Sequence, residues 1–136
     1  MRSILLAASV AVLALTGSAM ADDMKKGEKV FKKCKACHAV GEGAKNKVGP
    51  QLNGIIGRKA GAIEGFKYSK AMMAKAEGDD GLVWTVENLD GFLKKPKKFL
   101  DGKSKMTLKV KKDKQRADVI LYLGQFNEDG TIKAAE

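Results

Sequence analysis

Hydrophobic residues first recur at helical spacing within residues 22–38. Gly27, Val30, Phe31 and Cys34 stand at positions i, i+3, i+4 and i+7, so they share one face of a helix, and lysines cover most of the rest. The pattern therefore predicts a first helix over residues 22–38. A glycine in mid-helix costs about 1 kcal/mol relative to alanine, and a close crossing with a second helix would explain Gly27.

Three further helical patterns follow, and each has a recognisable start or end. They predict helices over residues 70–77 between Ser69 and Gly78, over residues 86–95 between Thr85 and Pro96, and from about Asp113 to Gly124. Pro96 either ends the second of these helices or begins a short further turn through Leu100, because proline is tolerated only in the first turn of a helix.

Two stretches lack a sustained period. Residues 39–67 are rich in glycine and contain Pro50, and residues 101–111 are also expected to be extended or irregular. A loop as long as the first is usually functional when it lies inside a compact domain. No segment has a credible strand pattern, so the predicted fold class is all-α, with about four to five helices and long loops.

The N-terminal residues have the pattern of a secretory signal. Arg2 supplies a positive start, Ile4–Leu15 is almost entirely apolar, and Ala19-Met20-Ala21 fits the small-x-small cleavage pattern. The apolar run is short for a membrane span, so stable membrane insertion is not expected, although retention of the segment as an anchor stays open. The predicted division is a cleaved signal peptide over residues 1–21 and one domain over residues 22–136, of which about 127–136 form a polar tail.

The chain is strongly basic. It contains 26 Lys+Arg against 16 Asp+Glu, a net charge of +10, and lysines are densest between Lys94 and Lys114. Such a cluster forms a positive face that raises the rate of encounter with an acidic partner. Nucleic acid is not expected as a partner, because the chain has no recognition motif with interleaved aromatic residues.

The run Cys34-Lys-Ala-Cys37-His38 contains both cysteines and the single histidine of the chain. Cys-x-x-Cys-His is typical of covalent haem attachment, because each thiol can form a thioether with one haem vinyl group and the adjacent imidazole can ligate the iron. A disulfide or thioredoxin-like redox pair is the alternative, but no strand-like run precedes Cys34. A structural zinc site needs four ligands, and the chain has only three Cys and His residues.

A haem iron held by one histidine needs a ligand on its other face. Outside the predicted signal peptide four methionines are available: Met24, Met72, Met73 and Met106. Met24 lies near the N-terminus, and Met72 and Met73 fall in a predicted helix, where methionine ordinarily fills the core. Met106 is favoured, because an irregular basic segment can bring its thioether to the iron without distorting a helix. A thioether opposite an imidazole raises the reduction potential, which suits electron transfer.

Several separated motifs occur in an order that is known from one protein family. They are Gly27–Phe31, Cys34–His38, Val48–Gly54, Gly57–Lys59, Gly65–Tyr68, Gly81–Trp84, Pro96–Phe99, Lys105–Thr107 and Ala117–Leu123. On these motifs the chain resembles the class I cytochromes c, most closely the bacterial cytochrome c2 type. The resemblance covers about residues 26–126. The run over residues 101–105 departs from the mitochondrial members, since it is one residue longer and lacks their proline.

The resemblance implies the cytochrome c fold around one covalently bound haem c, with the N- and C-terminal helices crossing where Gly27 and Phe31 meet Val119 and Tyr122. It also implies a set of site residues. They are Cys34 and Cys37 as thioethers, His38 and Met106 as axial ligands, the Pro50 carbonyl as acceptor from His38, and Arg58, Tyr68 and Trp84 around the haem propionates.

The function that these features imply is that of a soluble, monomeric, periplasmic electron carrier and not of an enzyme. The resemblance implies a membrane cytochrome bc complex as electron donor, and a photosynthetic reaction centre or a terminal cytochrome oxidase as acceptor, each met through an acidic docking surface. The alternative is a c-type haem enzyme or a gas-binding haem protein whose sixth coordination position is open. Ligation by Met106 distinguishes the two.

Overall fold

The computed structural model describes residues 16–134 and contains five helices in that range. In chain order they are α1 (Thr16–Phe31), α2 (Lys70–Glu77), α3 (Val86–Lys94), α4 (Pro96–Leu100) and α5 (Asp113–Gly124). Between residues 16 and 134 there is no strand, and β-type pairing is limited to two isolated bridges. The predicted all-α class with long loops is confirmed, whereas residues 1–15 of the predicted signal peptide lie outside the described residues.

The first helix differs from its prediction at both ends. It begins at Thr16 rather than Asp22, and it ends at Phe31 rather than His38. Beyond Phe31 the chain continues in tight turns, in which the Cys34 N–H donates to the Phe31 carbonyl at 2.8 Å and the His38 N–H donates to the Cys34 carbonyl at 2.9 Å. These turns keep nearly helical spacing, so the apolar pattern extends past the true end of the helix.

The predicted apolar face of α1 packs against α5. Gly27, Val30 and Phe31 are buried, and the ring centroids of Phe31 and Tyr122 lie 5.4 Å apart. A Cβ atom on Gly27 would lie 2.7 Å from the carbonyl carbon of Asp118 and 2.7 Å from the Cβ atom of Tyr122, and closer still to the Asp118 oxygen. The two backbones therefore approach as predicted, and only glycine permits it.

Local capping signals begin the middle helices as the sequence predicts. The Ser69 hydroxyl accepts the Met72 N–H at 3.1 Å, and the Thr85 hydroxyl accepts the Asn88 N–H at 3.1 Å. Each cap satisfies an amide that has no partner within its helix. Pro96 begins α4, where its missing N–H costs nothing. Of these helices, α4 packs on α2 and α3, and α3 also packs on α5.

The C-terminal residues turn back onto the body of the molecule. The Lys133 N–H donates to the Gln125 carbonyl at 2.8 Å, which closes a turn after α5. Gly130, with φ 87°, lies against the backbone of Gly41, where a Cβ atom would collide with the Gly41 carbonyl. The described part of the predicted tail, residues 127–134, is therefore polar but packs on the loop that begins at residue 39.

The core lies between α1, α3, α5 and the loop over residues 39–67. Its most enclosed side chains include Phe31 and Val119, which come from the two crossing helices. The core opens into a cleft that is lined by residues of the long loop, α3 and α5. Among residues 16–134, no helix has both the length and the apolar character that crossing a membrane requires.

Candidate functional site

All eight residues that the sequence predicts for the site line this one cleft. They are Cys34, Cys37, His38, Pro50, Arg58, Tyr68, Trp84 and Met106. Much of the remaining wall is apolar and comes from the long loop, α3 and α5: Leu52, Ile55, Leu89, Phe92, Leu93, Val119 and Leu123. A cleft with this lining favours a large apolar ligand, whose orientation the few polar and sulfur-bearing side chains would fix.

The cysteines lie in the turns that follow α1, and both are free thiols. Cys34 is buried, whereas Cys37 is half-buried. Burial raises the pKa of the Cys34 thiol to about 11. The neutral thiol is therefore the dominant form of Cys34 at physiological pH, and its sulfur belongs to the apolar wall of the cleft.

His38 is held in place by the loop over residues 39–67. Its Nδ1 atom lies 2.7 Å from the Pro50 carbonyl oxygen, and because that oxygen can only accept, Nδ1 carries the proton and Nε2 the lone pair. Burial lowers the pKa of His38, so the neutral imidazole is favoured. Gly49 lies flat against the ring, since a Cβ atom there would be 2.8 Å from Nδ1 and 2.9 Å from Nε2.

Met106 is half-buried and lines the same cleft as His38. It lies in the irregular segment between α4 and α5, where the Ser104 hydroxyl donates to the Met106 carbonyl at 2.7 Å. Met72 also reaches the cleft from α2, whereas Met24 does not line it. Met73 packs beneath Gly61, where a Cβ atom would lie 2.8 Å from its sulfur. Two thioethers, those of Met72 and Met106, are thus available to a ligand in the cleft.

Arg58 and Trp84 are joined through their backbones. The Trp84 N–H donates to the Arg58 carbonyl at 2.8 Å, and the Gly57 N–H donates to the Trp84 carbonyl at 2.8 Å. The Arg58 guanidinium donates to the Gln51 carbonyl at 2.8 Å and also to the Asn53 carbonyl. Burial lowers the pKa of Arg58, although an arginine at this depth remains charged at neutral pH.

Tyr68 completes this polar end of the cleft. Its hydroxyl oxygen accepts the Ile63 N–H at 3.1 Å, which leaves the hydroxyl hydrogen free to donate to another group. The Trp84 side chain is buried and packs on Phe92 and Phe99, with ring centroids 5.1 Å and 6.1 Å away. The cleft therefore has a charged and hydrogen-bonding end at Arg58 and Tyr68, and an apolar remainder.

Two residues that shape the site have no role in the sequence-based prediction. Asn53 is buried, and its side chain donates to the Gly41 carbonyl at 2.8 Å and accepts the Gly41 N–H at 2.8 Å. Gly49 allows the loop to touch the His38 ring. Both fall within the Val48–Gly54 motif, so the motif marks the right stretch, but only the folded loop reveals what the two residues contact.

The donor set and the shape of the cleft fit a haem. Two thiols, one neutral imidazole and a thioether line a largely apolar space, together with a cationic side chain and a tyrosine hydroxyl, which are groups of the kind that pair with carboxylates such as haem propionates. A metal ion bound by side chains alone is not favoured, since residues 16–134 contain no group of three or more His, Cys, Asp and Glu residues that could hold one.

Comparison with known proteins agrees with this geometry. The family model for cytochrome c matches residues 24–127. The chain is 53% identical over 106 residues to cytochrome c-550 of Ancylobacter novellus, covering 78% of this chain and 97% of that protein. It is 52% identical over 101 residues to cytochrome c2 of Agrobacterium tumefaciens (strain II Chrys), covering 74% of this chain and 89% of that protein.

The fold is also similar to solved structures. The structure of cytochrome c2 from Rhodospirillum centenum superposes with a TM-score of 0.73 at 45% identity, covering 77% of this chain and 98% of that chain. Ferricytochrome c2 from Rhodopseudomonas palustris superposes with a TM-score of 0.70 at 41% identity, covering 77% and 99%. The chain therefore belongs to the cytochrome c family, as a class I cytochrome c of the bacterial c2 type, and it is an electron carrier rather than an enzyme.

Proposed function

We propose that this cytochrome carries one haem c, attached through Cys34 and Cys37 and ligated by His38 and Met106, and that it shuttles single electrons in the periplasm. The observation that carries the proposal is that one cleft brings together both thiols, the only imidazole and the Met106 thioether. When bound, the haem supplies a one-electron couple between ferric and ferrous iron.

The chain's own residues prepare both axial positions. The Pro50 carbonyl fixes the tautomer of His38 and increases the basicity of Nε2, as second partners of ligating histidines do. Met106 offers a soft thioether, which favours ferrous iron and raises the reduction potential. With His38 and Met106 both holding the iron, substrates and gases would be excluded from it, which would separate a carrier from a haem enzyme.

The polar end of the cleft would hold the propionates. Arg58 is half-buried and already spans two loop carbonyls, so its positive charge can offset a carboxylate without further ordering of its side chain. Tyr68 has a free hydroxyl hydrogen, and Trp84 lines the same cleft. We assign hydrogen bonding of a buried propionate to Tyr68 and Trp84 on this basis.

Exposed lysines would guide docking to acidic surfaces of membrane redox complexes. The candidates are Lys35, Lys45, Lys97, Lys98, Lys103 and Lys105, all of which are exposed. A positive surface raises the encounter rate and is screened by salt. We propose a cytochrome bc complex as donor and a reaction centre or terminal oxidase as acceptor, which a monomer would meet through small interfaces that allow rapid release.

The periplasmic location rests on the N-terminal sequence. The positive start at Arg2, the apolar run Ile4–Leu15 and the small residues around Ala21 together favour export and cleavage, which leaves residues 22–136 as the mature protein. N-terminal sequencing of the purified protein tests this directly. A mature chain that begins at Asp22 is expected, and one that begins at Met1 would contradict it.

The absorption spectrum of the purified ferric protein tests the function. We expect a methionine-to-iron charge-transfer band near the red end of the spectrum, present in the wild type and in Met72→Leu but lost in Met106→Leu. The Met72→Leu variant is the matched control, because Met72 offers the second thioether in the cleft. A high-spin ferric spectrum, together with ready binding of carbon monoxide after reduction, would contradict the carrier and favour a haem enzyme or gas-binding protein.

A further inference from the structure

Arg116 is one of three buried polar or charged residues in the described part of the chain, with 2% of its surface exposed. It lies on α5 and is not among the residues that line the cleft. Only three of the 26 basic residues of the chain are arginines, so its type is also unusual here. Burial of a charge costs several kcal/mol unless the charge is fully paired, so the hydrogen-bond partners of Arg116 are important for the fold.

The guanidinium of Arg116 joins three parts of the fold. Nε donates to Asp90 of α3 at 2.7 Å, and a terminal nitrogen donates to Asp113 at the start of α5. The other terminal nitrogen donates to the carbonyls of Val110 and Lys111, at 3.0 Å and 2.9 Å. The last two bonds fix the downstream end of the segment that carries Met106.

This segment has few other anchors. Within residues 103–109 no backbone N–H donates to a backbone carbonyl, and the bond to a distant part of the chain in this range comes from an exposed side chain, the Lys105 ammonium, which donates to the Lys67 carbonyl. Upstream, the Gly102 N–H donates to the Lys97 carbonyl at 3.2 Å, and downstream the Val110 N–H donates to the Leu93 carbonyl at 2.9 Å. Met106 therefore lies near the middle of a span that is fixed mainly at its two ends, and Arg116 supplies two of the three hydrogen bonds at the downstream end.

We infer that Arg116 is a positioning residue, which holds Val110 and Lys111 and thereby limits the movement of the segment that keeps the Met106 thioether at the iron. The inference rests on the proposed function, since it takes Met106 to be the axial ligand. The forked guanidinium suits this role because it can bond two carbonyls and two carboxylates at once, whereas a lysine ammonium offers donors from a single point. Asp90 and Asp113 are more exposed than Arg116, so water can solvate them if the arginine is removed.

The test measures how readily added imidazole displaces the methionine in the ferric protein. If loss of Arg116 frees the segment, states with the thioether withdrawn become more populated, and the apparent affinity for imidazole rises by the same factor. We expect at least tenfold tighter imidazole binding in Arg116→Gln, which corresponds to about 1.4 kcal/mol. Arg116→Lys, which keeps the charge, should show a smaller increase and provides the measurement if the glutamine variant does not fold.

Asp118→Asn is the matched control. Asp118 is also buried on α5 and also part of an ion pair, but its partner is Lys114, which additionally bonds Asp23 of α1 at 2.8 Å. This change should lower the global stability, and we expect the imidazole affinity to stay within about twofold of the wild type. The control therefore separates a general loss of stability from a loss of anchoring near Met106.

Two results would overturn the inference. One is wild-type imidazole affinity in both Arg116 variants, and the other is an equal increase in Asp118→Asn. Both presuppose that the wild-type protein shows its methionine charge-transfer band. Absence of that band from the wild type would instead refute Met106 ligation, and thereby the proposed function on which the role of Arg116 depends.

Discussion

Replacement of Gly27 by alanine tests whether the crossing of α1 and α5 determines the stability of this fold. The added Cβ atom would lie 2.7 Å from the carbonyl carbon of Asp118 and 2.7 Å from the Cβ atom of Tyr122. Ordinary contacts of this kind lie at about 3.5–4.0 Å, so the helices would have to separate by roughly 1 Å. Because the nearest atoms of Asp118 belong to the backbone, a side-chain rotation cannot relieve the contact.

The magnitude follows from two opposing effects. Overpacking of a well-packed contact costs about 1–3 kcal/mol, and a clash with backbone places this variant near the upper end. Alanine in place of a helical glycine returns about 1 kcal/mol through helix propensity. We therefore expect Gly27→Ala to lose about 2 kcal/mol of unfolding free energy, which corresponds to a decrease of roughly 10 °C in Tm for a domain of this size.

Gly124→Ala is the matched control, because it makes the same chemical change at the end of α5. A Cβ atom on Gly124 would meet Ile56 Cγ1 at 3.6 Å, an ordinary contact. We expect this variant to be as stable as the wild type or slightly more stable, since alanine lowers the entropy of the unfolded chain.

Guanidinium unfolding, followed by far-ultraviolet circular dichroism, measures the unfolding free energy of both variants. Equal m-values would show that both expose the same amount of surface on unfolding. The reasoning fails if Gly27→Ala is as stable as Gly124→Ala. That result would mean that the helices adjust at almost no cost and that close approach does not explain the glycine.

Three other changes test the site, the charged surface and the C-terminal turn. Gly49→Ala should turn the His38 ring, because the new Cβ atom would lie 2.8 Å from Nδ1, and an unaltered visible spectrum and reduction potential would contradict this contact. Lys97→Gln combined with Lys98→Gln should slow bimolecular electron transfer severalfold at low salt and little at high salt, whereas a difference that is independent of salt would argue against steering. The Thr131 hydroxyl and N–H hold the pKa of Asp129 below its usual 3.8, so this carboxylate stabilises the fold above that pH and loses its contribution as the pH falls through the lowered pKa. Asp129→Asn should therefore be less stable than the wild type at pH 7, and urea titrations should show this deficit shrinking as the pH falls below 3.8; a deficit that does not change with pH would refute the assignment.

Local signals in the sequence predict much of the fold. Ser69 and Thr85 cap the helices that they were expected to cap, because a cap depends on a side chain and an amide only three residues away. The end of α1, in contrast, was not predicted correctly. Cys34 lies in a turn whose spacing resembles that of a helix, so hydrophobic period alone cannot locate the end at Phe31.

The features that could not be predicted from the sequence depend on contacts between distant segments. Arg116 bonds Asp90 across 26 positions of sequence, and neither residue belongs to a pattern that predicts the pairing. Gly49 stands in a recognisable motif, but its contact with the His38 ring arises only when the loop folds back. Candidate site residues could be named from the sequence, either from their own chemistry, as for Cys34, Cys37 and His38, or from the family resemblance, whereas the residues that position them are ordinary in type.

The contact between α1 and α5 also joins the two ends of the domain, so the chain between them forms a loop that this contact closes. Two helices from opposite ends of the sequence are fastened to each other, and the segments between them run around the cleft. One cut in the loop over residues 39–67 would break the chain between the two helices without releasing either piece, because the crossing joins the N-terminal fragment to the C-terminal one. Proteolytic nicks there should thus be tolerated far better than a cut within either terminal helix, and new chain ends placed in that loop offer a route to circular permutation.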